Sequence, residues 1–505
     1  MGILSCIYLI PFMAAMVIVF TPPKEVRFIK WTALIASSAV LGVSVWLVFS
    51  YLSRIGGING SEFMSGTRTD LMFVEKAPWF EAFGIEYYLG VDGISVAMIL
   101  LTSIVIFCGV LVSWGVTERA KEFFAMLLVL VTGVFGVFMS FDLFLLFLFY
   151  EVAVLPMYLL IGIWGTGPKE YSAMKLTLML MAGSALILVG ILALYFYGGL
   201  HSFNIIELAQ VEFPMSMQAW VFPTLFIGFG ILGALFPFHT WSPDGHASAP
   251  TAVSMLHAGV LMKLGGYGCL RTVYMLPEGA KSWAYFFMVL TTINILYGAF
   301  AAIQKKDLKY ITAYSSVSHC GFVLFGLMSL TSVGLQGSVL QAFSHGVMTA
   351  LFFALIGMVY GRTHTRYIDK MGGIIKVMPF LGVAYYIAGF ASLGLPGFSG
   401  FIAEVTIFVG AFSVDDIGVR ILTILATCSI VVTAVYILRA MGRMFFGPIQ
   451  NPEHEKLTDA VYWEKIPIGI LVFMLALVGM FPGWLVRLIE YSLVPIMNNL
   501  SRQFM

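Results

Sequence analysis

The stretch Leu235-Phe-Pro-Phe-His-Thr-Trp-Ser-Pro-Asp-Gly-His246 interrupts a long apolar segment and decides the fold that the sequence predicts. Pro237 and Pro243, followed by Pro250, cannot be accommodated in one continuous helix. Irregular backbone at membrane depth leaves polar groups that neighbouring protein or water must satisfy. The stretch therefore predicts a discontinuous membrane helix.

A second interruption, Ser392-Leu-Gly-Leu-Pro-Gly-Phe-Ser-Gly400, resembles the first and is followed by the carboxylate of Glu404. Paired interruptions in two halves of a chain are typical of transporters built from inverted repeats. Counting apolar spans places the breaks in the seventh and twelfth, which predicts repeats over spans four to eight and nine to thirteen. An offset of 168 residues also aligns Glu151 with His319.

Composition supports a membrane protein throughout. Hydrophobic residues make up 60% of the 505 residues, charged residues make up 10%, and the mean hydropathy is +0.96. Apolar runs long enough to cross a bilayer recur from Ile3–Phe20, which reads as a first span and not a removed signal peptide, to Ile466–Ile489. We predict an all-α polytopic membrane protein of about fourteen transmembrane helices, divided into residues 1–114, 123–271, 282–441 and 463–505.

The charged residues predict an orientation and exclude one class of partner. Of 27 Lys and Arg residues, eighteen fall in odd-numbered connections, eight in even ones or the C-terminus, and one, Lys263, within a span. Basic loops stay cytoplasmic, so both termini are expected on the other side. A net charge of +1 argues against a nucleic-acid partner and leaves membrane lipids as the surroundings. The five scattered cysteines, and His239 and His246 across the broken turn, do not favour a metal site.

Few ionisable groups lie inside the spans, and each has a plain alternative. Glu151 could be a carboxylate hydrogen-bonded to a neighbouring helix, and Lys263 could extend its ammonium to an interface. His319 and His345 could be packing residues. Charges at membrane depth are costly and usually mark a pathway, so these residues together favour a proton relay.

At this point the sequence resembles the antiporter-like membrane subunits of respiratory complex I, particularly the M type (NADH dehydrogenase subunit 4 of mitochondria), and more distantly subunits of multisubunit cation/proton antiporters. The motifs occur in one order over most of the chain: Leu89-Gly-Val-Asp-Gly-Ile-Ser95, Phe149-Tyr-Glu-Val-Ala-Val-Leu-Pro-Met157, Pro237-Phe-His-Thr-Trp-Ser-Pro-Asp-Gly-His246, Ala249-Pro-Thr-Ala252, Leu261-Met-Lys-Leu-Gly-Gly-Tyr-Gly268, Asp307-Leu-Lys-Tyr310, Ala313-Tyr-Ser-Ser-Val-Ser-His319, Thr363-His-Thr-Arg366, Met371-Gly-Gly373 and Leu395-Pro-Gly397.

The resemblance implies roles for matching positions. Glu151 is the fifth-span carboxylate, Lys263 the eighth-span lysine, His319 and His345 the relay histidines, and Glu404 the twelfth-span terminal group. Glu404 distinguishes the M type from L- and N-type subunits, which usually have lysine there. The implied activity is proton translocation as part of an NADH:quinone oxidoreductase in the bacterial inner membrane.

The resemblance also implies where the electron carriers lie. The chain has no nucleotide fingerprint, haem motif or iron–sulfur cysteine cluster, so no cofactor is expected in it. Flavin, iron–sulfur clusters and quinone are expected in partners, which are L-, N-, K-, J-, A- and H-type membrane subunits and a peripheral electron-transfer arm.

One position departs from the family pattern. The seventh-span lysine that pairs with the fifth-span glutamate should lie five residues before Pro237, where this chain has Leu232. Either the chain is a weak or passive module, or another base replaces the lysine. We hypothesise that His257, six residues before Lys263, is that base. The alternatives to a pumping subunit are a cation/proton antiporter or membrane-hydrogenase subunit, and a structural spacer.

Overall fold

The computed structural model describes residues 2–56 and 71–501, which fold mainly into helices. The principal helices are α1 (Ile3–Phe20), α2 (Val26–Gly56), α3 (Gly93–Val112), α4 (Ala120–Met139), α5 (Leu143–Trp164), α6 (Lys169–Tyr197), α7 (Met215–Leu232), α8 (Trp241–Ser248), α9 (Thr251–Leu256), α10 (Met262–Met275), α11 (Pro277–Gln304), α12 (Leu308–Met328), α13 (Ser332–Thr363), α14 (Pro379–Ser392), α15 (Ser399–Phe412), α16 (Ile417–Phe445), α17 (Tyr462–Met480) and α18 (Gly483–Ser501).

In the described part of the chain, twelve helices are long and apolar enough to cross a membrane. The prediction of an all-α polytopic membrane protein is confirmed in its class, whereas the total number of spans and the inverted repeats stay predictions. The shorter apolar helices α14 and α15, and the segments α9 and α10 joined by a π-helical turn, add further apolar helix between the long ones.

The centre of the molecule is formed by α3, α12 and α13, which are almost entirely buried. Helix α13 is 32 residues long, starts at the side-chain cap of Thr331 on Gly334 N, and passes between α12 and α15. Because α13 is enclosed by other helices, polar residues along it are hidden from lipid. This central position brings several of the predicted site residues together.

Both predicted helix breaks are present and use the same backbone turn. In the first, Ala234 adopts a left-handed conformation with φ +56° and the Leu235 N–H donates to Gly230 O at 2.8 Å. In the second, Gly394 has φ +64° and the Leu395 N–H donates to Phe390 O at 3.2 Å. Bonds of this kind satisfy carbonyls at a helix end. Trp241 of α8 also donates through Nε1 to Ile231 O at 3.0 Å.

A β-hairpin that the sequence analysis did not predict precedes α3. Its antiparallel strands are β1 (Met72–Phe80) and β2 (Ile85–Val91). The carboxylate of Glu75 in β1 accepts the N–H of Leu4 at 2.7 Å and of Gly2 at 3.2 Å. Free N–H groups at a helix start favour such a carboxylate. The hairpin therefore caps α1 and fixes its end.

The single final span predicted over Ile466–Ile489 is wrong, because the structure has two helices there. Helix α17 ends at Met480, and Pro482, which has no N–H to continue the helix, leads into α18. Helix α18 is bound to loops and helix ends on one side of the bundle: Asn499 Nδ2 donates to Ala209 O at 2.7 Å and to Tyr274 O at 2.9 Å. Residues 502–505 of the tail predicted within 463–505, which include Arg502, lie outside the described residues, as does Arg68 of the charge count.

Candidate functional site

Lys263 lies at the start of α10 with only 2% of its surface exposed. The preceding turn, His257–Leu261, is π-helical. Such widened turns occur frequently at functional sites. The Lys263 ammonium donates to Ala258 O, a carbonyl of this turn, and lies 2.7 Å from His345 Nδ1. The lysine is therefore held between a backbone carbonyl and a histidine of α13, with no acidic partner among the described salt bridges.

His345 continues the polar contacts away from Lys263. Its ring lies against that of His319 in α12, with centroids 5.2 Å apart and planes 30° apart. His319 Nδ1 is in turn 3.4 Å from Glu404 Oε1 in α15. All four residues are at most 4% exposed. Lys263, His345, His319 and Glu404 form one series across four helices, which we call the buried row.

Neutral polar side chains surround the buried row, and sequence reasoning missed them. Gln341 Nε2 lies 3.1 Å from His319 Nδ1, and Ser392 Oγ lies 3.4 Å from His319 Nε2. Ser344 and Ser399 connect α13 to α15 through their hydroxyls at 2.7 Å. Their signal in the sequence is weak, because serine and glutamine occur in many membrane helices without a functional role.

Gly394 explains how Glu404 fits beside the second break. A Cβ atom at position 394 would lie 2.6 Å from Glu404 Oε2, well inside van der Waals contact. The glycine therefore serves two purposes, since it adopts the left-handed turn and leaves space for the carboxylate.

Glu151 is not part of the buried row. It lies in α5, is partly exposed, and its buried Oε1 has no hydrogen-bond partner among the described residues. The exposed positions Leu155, Tyr158 and Leu159 follow on the same helix. Leu232, at the end of α7, is fully buried and provides no charge. The departure seen in the sequence thus leaves Glu151 without an ion pair in the described part of the chain.

His257 lies in a separate aromatic cluster beside the π-helical turn. Its ring is 4.1 Å from that of His246 and 5.2 Å from that of Trp241, measured between centroids. Neither ring nitrogen of His257 has a hydrogen-bond partner among the described groups. His246 Nε2 lies 3.2 Å from Met262 Sδ, directly before Lys263 in sequence. The structure therefore places His257 near the lysine's helix but does not join it to Glu151.

Two motifs of the resemblance hold the short helix α8 in place. Lys309 Nζ donates to Ala249 O at 2.6 Å, and Arg366 donates to Ala247 O at 2.8 Å. Cations at a helix C-terminus satisfy free carbonyls and complement the helix dipole. Asp244 of α8 forms a 2.7 Å ion pair with Lys175. In residues 2–56 and 71–501, no group of three His, Cys, Asp or Glu side chains could hold a metal ion.

A helical bundle with two broken helices and a buried series of ionisable groups is typical of membrane proteins that translocate ions. Residues 140–433 match the family described as NADH:quinone oxidoreductase/Mrp antiporter, TM. The chain belongs to this family, as an antiporter-like membrane subunit of the complex I type.

The similar proteins agree with this assignment. NAD(P)H-quinone oxidoreductase chain 4-2 of Synechocystis sp. is 37% identical over 92% of this chain and 83% of its own length. Chain 4 of Gloeobacter violaceus is 36% identical over 95% and 89%.

Two solved structures share the fold. A chain of respiratory complex I from Thermus thermophilus with bound NADH covers 99% of this chain and 100% of its own, with a TM-score of 0.87 and 25% identity. A chain of the Mrp complex from Dietzia sp. covers 100% and 98% with a TM-score of 0.83 and 20% identity, which shows the fold alone.

Proposed function

We propose that this chain is the M-type, or chain 4, membrane subunit of a complex I-type quinone oxidoreductase and moves protons along the buried row. The single observation that supports this most is the series of contacts from Lys263 through the stacked rings of His345 and His319 to Glu404. Four ionisable groups in contact, and at most 4% exposed, are expensive to maintain in a membrane protein without a function.

The chemistry of the row suits proton transfer. Lys263 can donate from its ammonium to the neighbouring ring nitrogen of His345 over 2.7 Å. The second nitrogen of His345 has no partner among the described residues, and the stacked ring of His319 reaches the Glu404 carboxylate. A charge change at either end alters which group holds the proton, because like and opposite charges shift titration in opposite directions. The row can therefore respond to electrostatic changes in neighbouring subunits.

Electron transfer belongs to partners in this proposal. NADH oxidation, flavin, iron–sulfur clusters and quinone reduction are assigned to a peripheral arm and to other membrane subunits of the L, N, K, J, A and H types. The chain is placed in a bacterial cytoplasmic membrane with both termini away from the cytoplasm, which rests on the distribution of basic residues.

The proton input to Lys263 is assigned to Glu151 and His257. Leu232 stands where relatives are expected to have a lysine. The ring nitrogens of His257, which have no hydrogen-bond partner among the described groups, are available to accept a proton. We expect His257→Leu to abolish proton translocation while assembly and quinone reduction remain measurable. Proton translocation at the wild-type level in this variant would exclude the role of His257.

A second candidate function is a spacer that conducts no protons, and the unpaired Glu151 favours it. The test uses the purified whole complex in proteoliposomes, where acidification driven by quinone reduction is compared for wild type and Lys263→Met. Methionine has an unbranched side chain only one atom shorter than that of lysine, and it carries no charge. We expect quinone reduction to continue while fewer protons are translocated per quinone. An unchanged ratio would favour the spacer.

A further inference from the structure

A second polar series leaves Lys263 in the opposite direction from the buried row. Lys263, Tyr267 and Arg271 are spaced four residues apart in α10 and therefore share one helix face. Arg271 lies about 12 Å further along the helix axis than Lys263, since each residue advances 1.5 Å. This face leads to the side of the bundle where α3 begins and α18 lies.

The first step beyond Lys263 is a small internal cavity. It has a volume of about 20 Å³, and its polar lining residues are Lys263, Tyr267 and Ser338. A cavity of roughly 10–15 Å³ by this measure is enough for one water molecule. A single water in this space would have polar partners on both sides.

Tyr267 connects that cavity to an ion pair. Its hydroxyl lies 3.1 Å from Ser95 Oγ and accepts a hydrogen bond from Arg271 Nη2 at 3.0 Å. Arg271 Nη2 also donates to Asp92 Oδ2 at 2.6 Å, and the Ser95 N–H donates to Asp92 Oδ1 at 2.8 Å. The Arg271 side chain is only 4% exposed.

Beyond the ion pair lies a second cavity, covered by the last helix. It has a volume of about 50 Å³ and is lined by Asp92, Arg271, Tyr51, Ser492 and Ile496 among others. The Ser492 hydroxyl of α18 accepts the Gly93 N–H at 2.6 Å, directly beside Asp92. Arg271 Nε is buried and has no partner among the described groups, so the guanidinium is not fully engaged by the pair.

We propose that the Arg271–Asp92 pair is the gate through which protons released by Lys263 leave the subunit. This inference rests on the proposed function: a charge change at Glu404 returns the proton held on the buried row to Lys263, and the gate is the exit for that proton. A fixed arginine excludes protons and other cations from a pore. When the ion pair is closed, it therefore separates Lys263 from the non-cytoplasmic side of the membrane, as that side is predicted from the distribution of basic residues.

The release step conserves atoms and charge. The Lys263 ammonium loses a proton to the cavity water, and the water passes a proton to the Tyr267 oxygen. The Tyr267 hydroxyl, which donates to Phe138 O at 3.2 Å, rotates and passes its own proton to Ser95 Oγ, 3.1 Å away. Rotation of the Ser95 side chain, whose N–H donates to Asp92 Oδ1, then delivers the hydroxyl proton to the Asp92 carboxylate, which becomes neutral. A neutral Asp92 no longer holds Arg271, so the pair opens. Asp92 then gives its proton to the aqueous side, and the ion pair forms again.

The test measures passive proton flux in proteoliposomes that contain the whole complex without substrate, after an imposed pH difference. We expect Arg271→Gln to raise the flux several-fold, because the cationic barrier is lost. Asp92→Asn should raise it as well, because a neutral side chain at position 92 no longer holds Arg271, and it should lower the protons translocated per quinone. A leak that came only from structural damage around a broken ion pair would not depend on Lys263. The matched control is Arg487→Gln, an exposed arginine of α18.

A double variant distinguishes this gate from the proposed function. Lys263→Met should return the flux of Arg271→Gln to the wild-type level, because protons reach the gate only through Lys263. A leak that persists in the double variant, or no leak in Arg271→Gln, overturns the gate, whereas the effect of Lys263→Met alone tests the buried row.

A further variant keeps the test decisive if Arg271→Gln fails to assemble. Leaving one buried charge unpaired is strongly destabilising. Tyr267→Phe removes only one hydroxyl and keeps the ring against Phe138. We expect this variant to reduce quinone but to translocate fewer protons per quinone. An unchanged ratio overturns the gate.

Discussion

The two helix breaks have the same backbone turn but different surroundings. Ala234 and Gly394 occupy the same left-handed position, and each is followed by a residue whose N–H donates five residues back. Only the second break holds an acidic group of the buried row, because Glu404 lies against Gly394 and beside His319. The first break follows Leu232, and Glu151 has no ion pair in the described residues. The same left-handed backbone turn thus adjoins an acidic residue of the buried row at the second break and no such residue at the first.

The largest effect is expected from Glu404→Gln, which removes the charge at the end of the row while keeping its shape. Proton translocation per quinone should fall as far as in Lys263→Met, measured in proteoliposomes of the whole complex. Groups that act as one unit give non-additive losses. A variant with both Lys263→Met and Glu404→Gln should therefore lose no more proton translocation per quinone than either single variant.

The control for this experiment is Glu490→Gln, which alters an exposed glutamate of α18. It should leave the ratio of protons to quinone unchanged. Losses that add in the Lys263 and Glu404 double variant would mean that the two residues serve separate routes, and the buried row would not be one pathway.

A smaller effect is expected from Gly394→Ala, which tests whether the second break needs a glycine to make room for Glu404. Alanine in the left-handed region costs about 1–2 kcal/mol. The new Cβ would also displace the Glu404 carboxylate, which lies 2.6 Å from its position. We expect a partial loss of proton translocation per quinone, smaller than that of Glu404→Gln.

Gly397→Ala is the matched control, because Gly397 also has a positive φ, +97°, but its Cβ would meet no atom within 4 Å. It carries backbone strain without contact with the carboxylate, so the ratio should stay at the wild-type value. Equal losses in both variants would attribute the effect to strain alone.

The sequence predicted the members of the buried row but not their arrangement. Lysine, histidine and glutamate inside apolar segments are rare enough to be recognised one by one. Their contacts depend on α10, α12, α13 and α15 meeting in space, and these helices are separated by long stretches of chain. The role of each residue stays a prediction. Gln341 and Ser392 give no comparable signal, because neutral polar residues are common in membrane helices.

Other features were missed for reasons of pattern. The β-hairpin before α3 contains Pro78, and its first strand is mostly exposed and includes the charged pair Glu75 and Lys76, so it reads as a loop. Helix α18 follows α17 after only two residues, and its apolar face continues the hydrophobic run of the preceding span. Length and hydropathy alone cannot separate a span from a helix that lies along the ends of others.

The smallest effect is expected from Ala234→Gly, which makes the first break chemically like the second. Alanine at φ +56° is strained, and glycine adopts this conformation without a Cβ penalty. The change should stabilise the subunit by about 1 kcal/mol, offset in part by the greater freedom of glycine in the unfolded chain. In a chain of this size we expect the midpoint of thermal inactivation to rise by no more than about 2 °C. Gly233, next to this turn, shares a small cavity with Lys263, but Ala234→Gly removes a methyl group and adds no atom there. Protons translocated per quinone should therefore not change, and a reduced ratio would show that the first break also takes part in translocation.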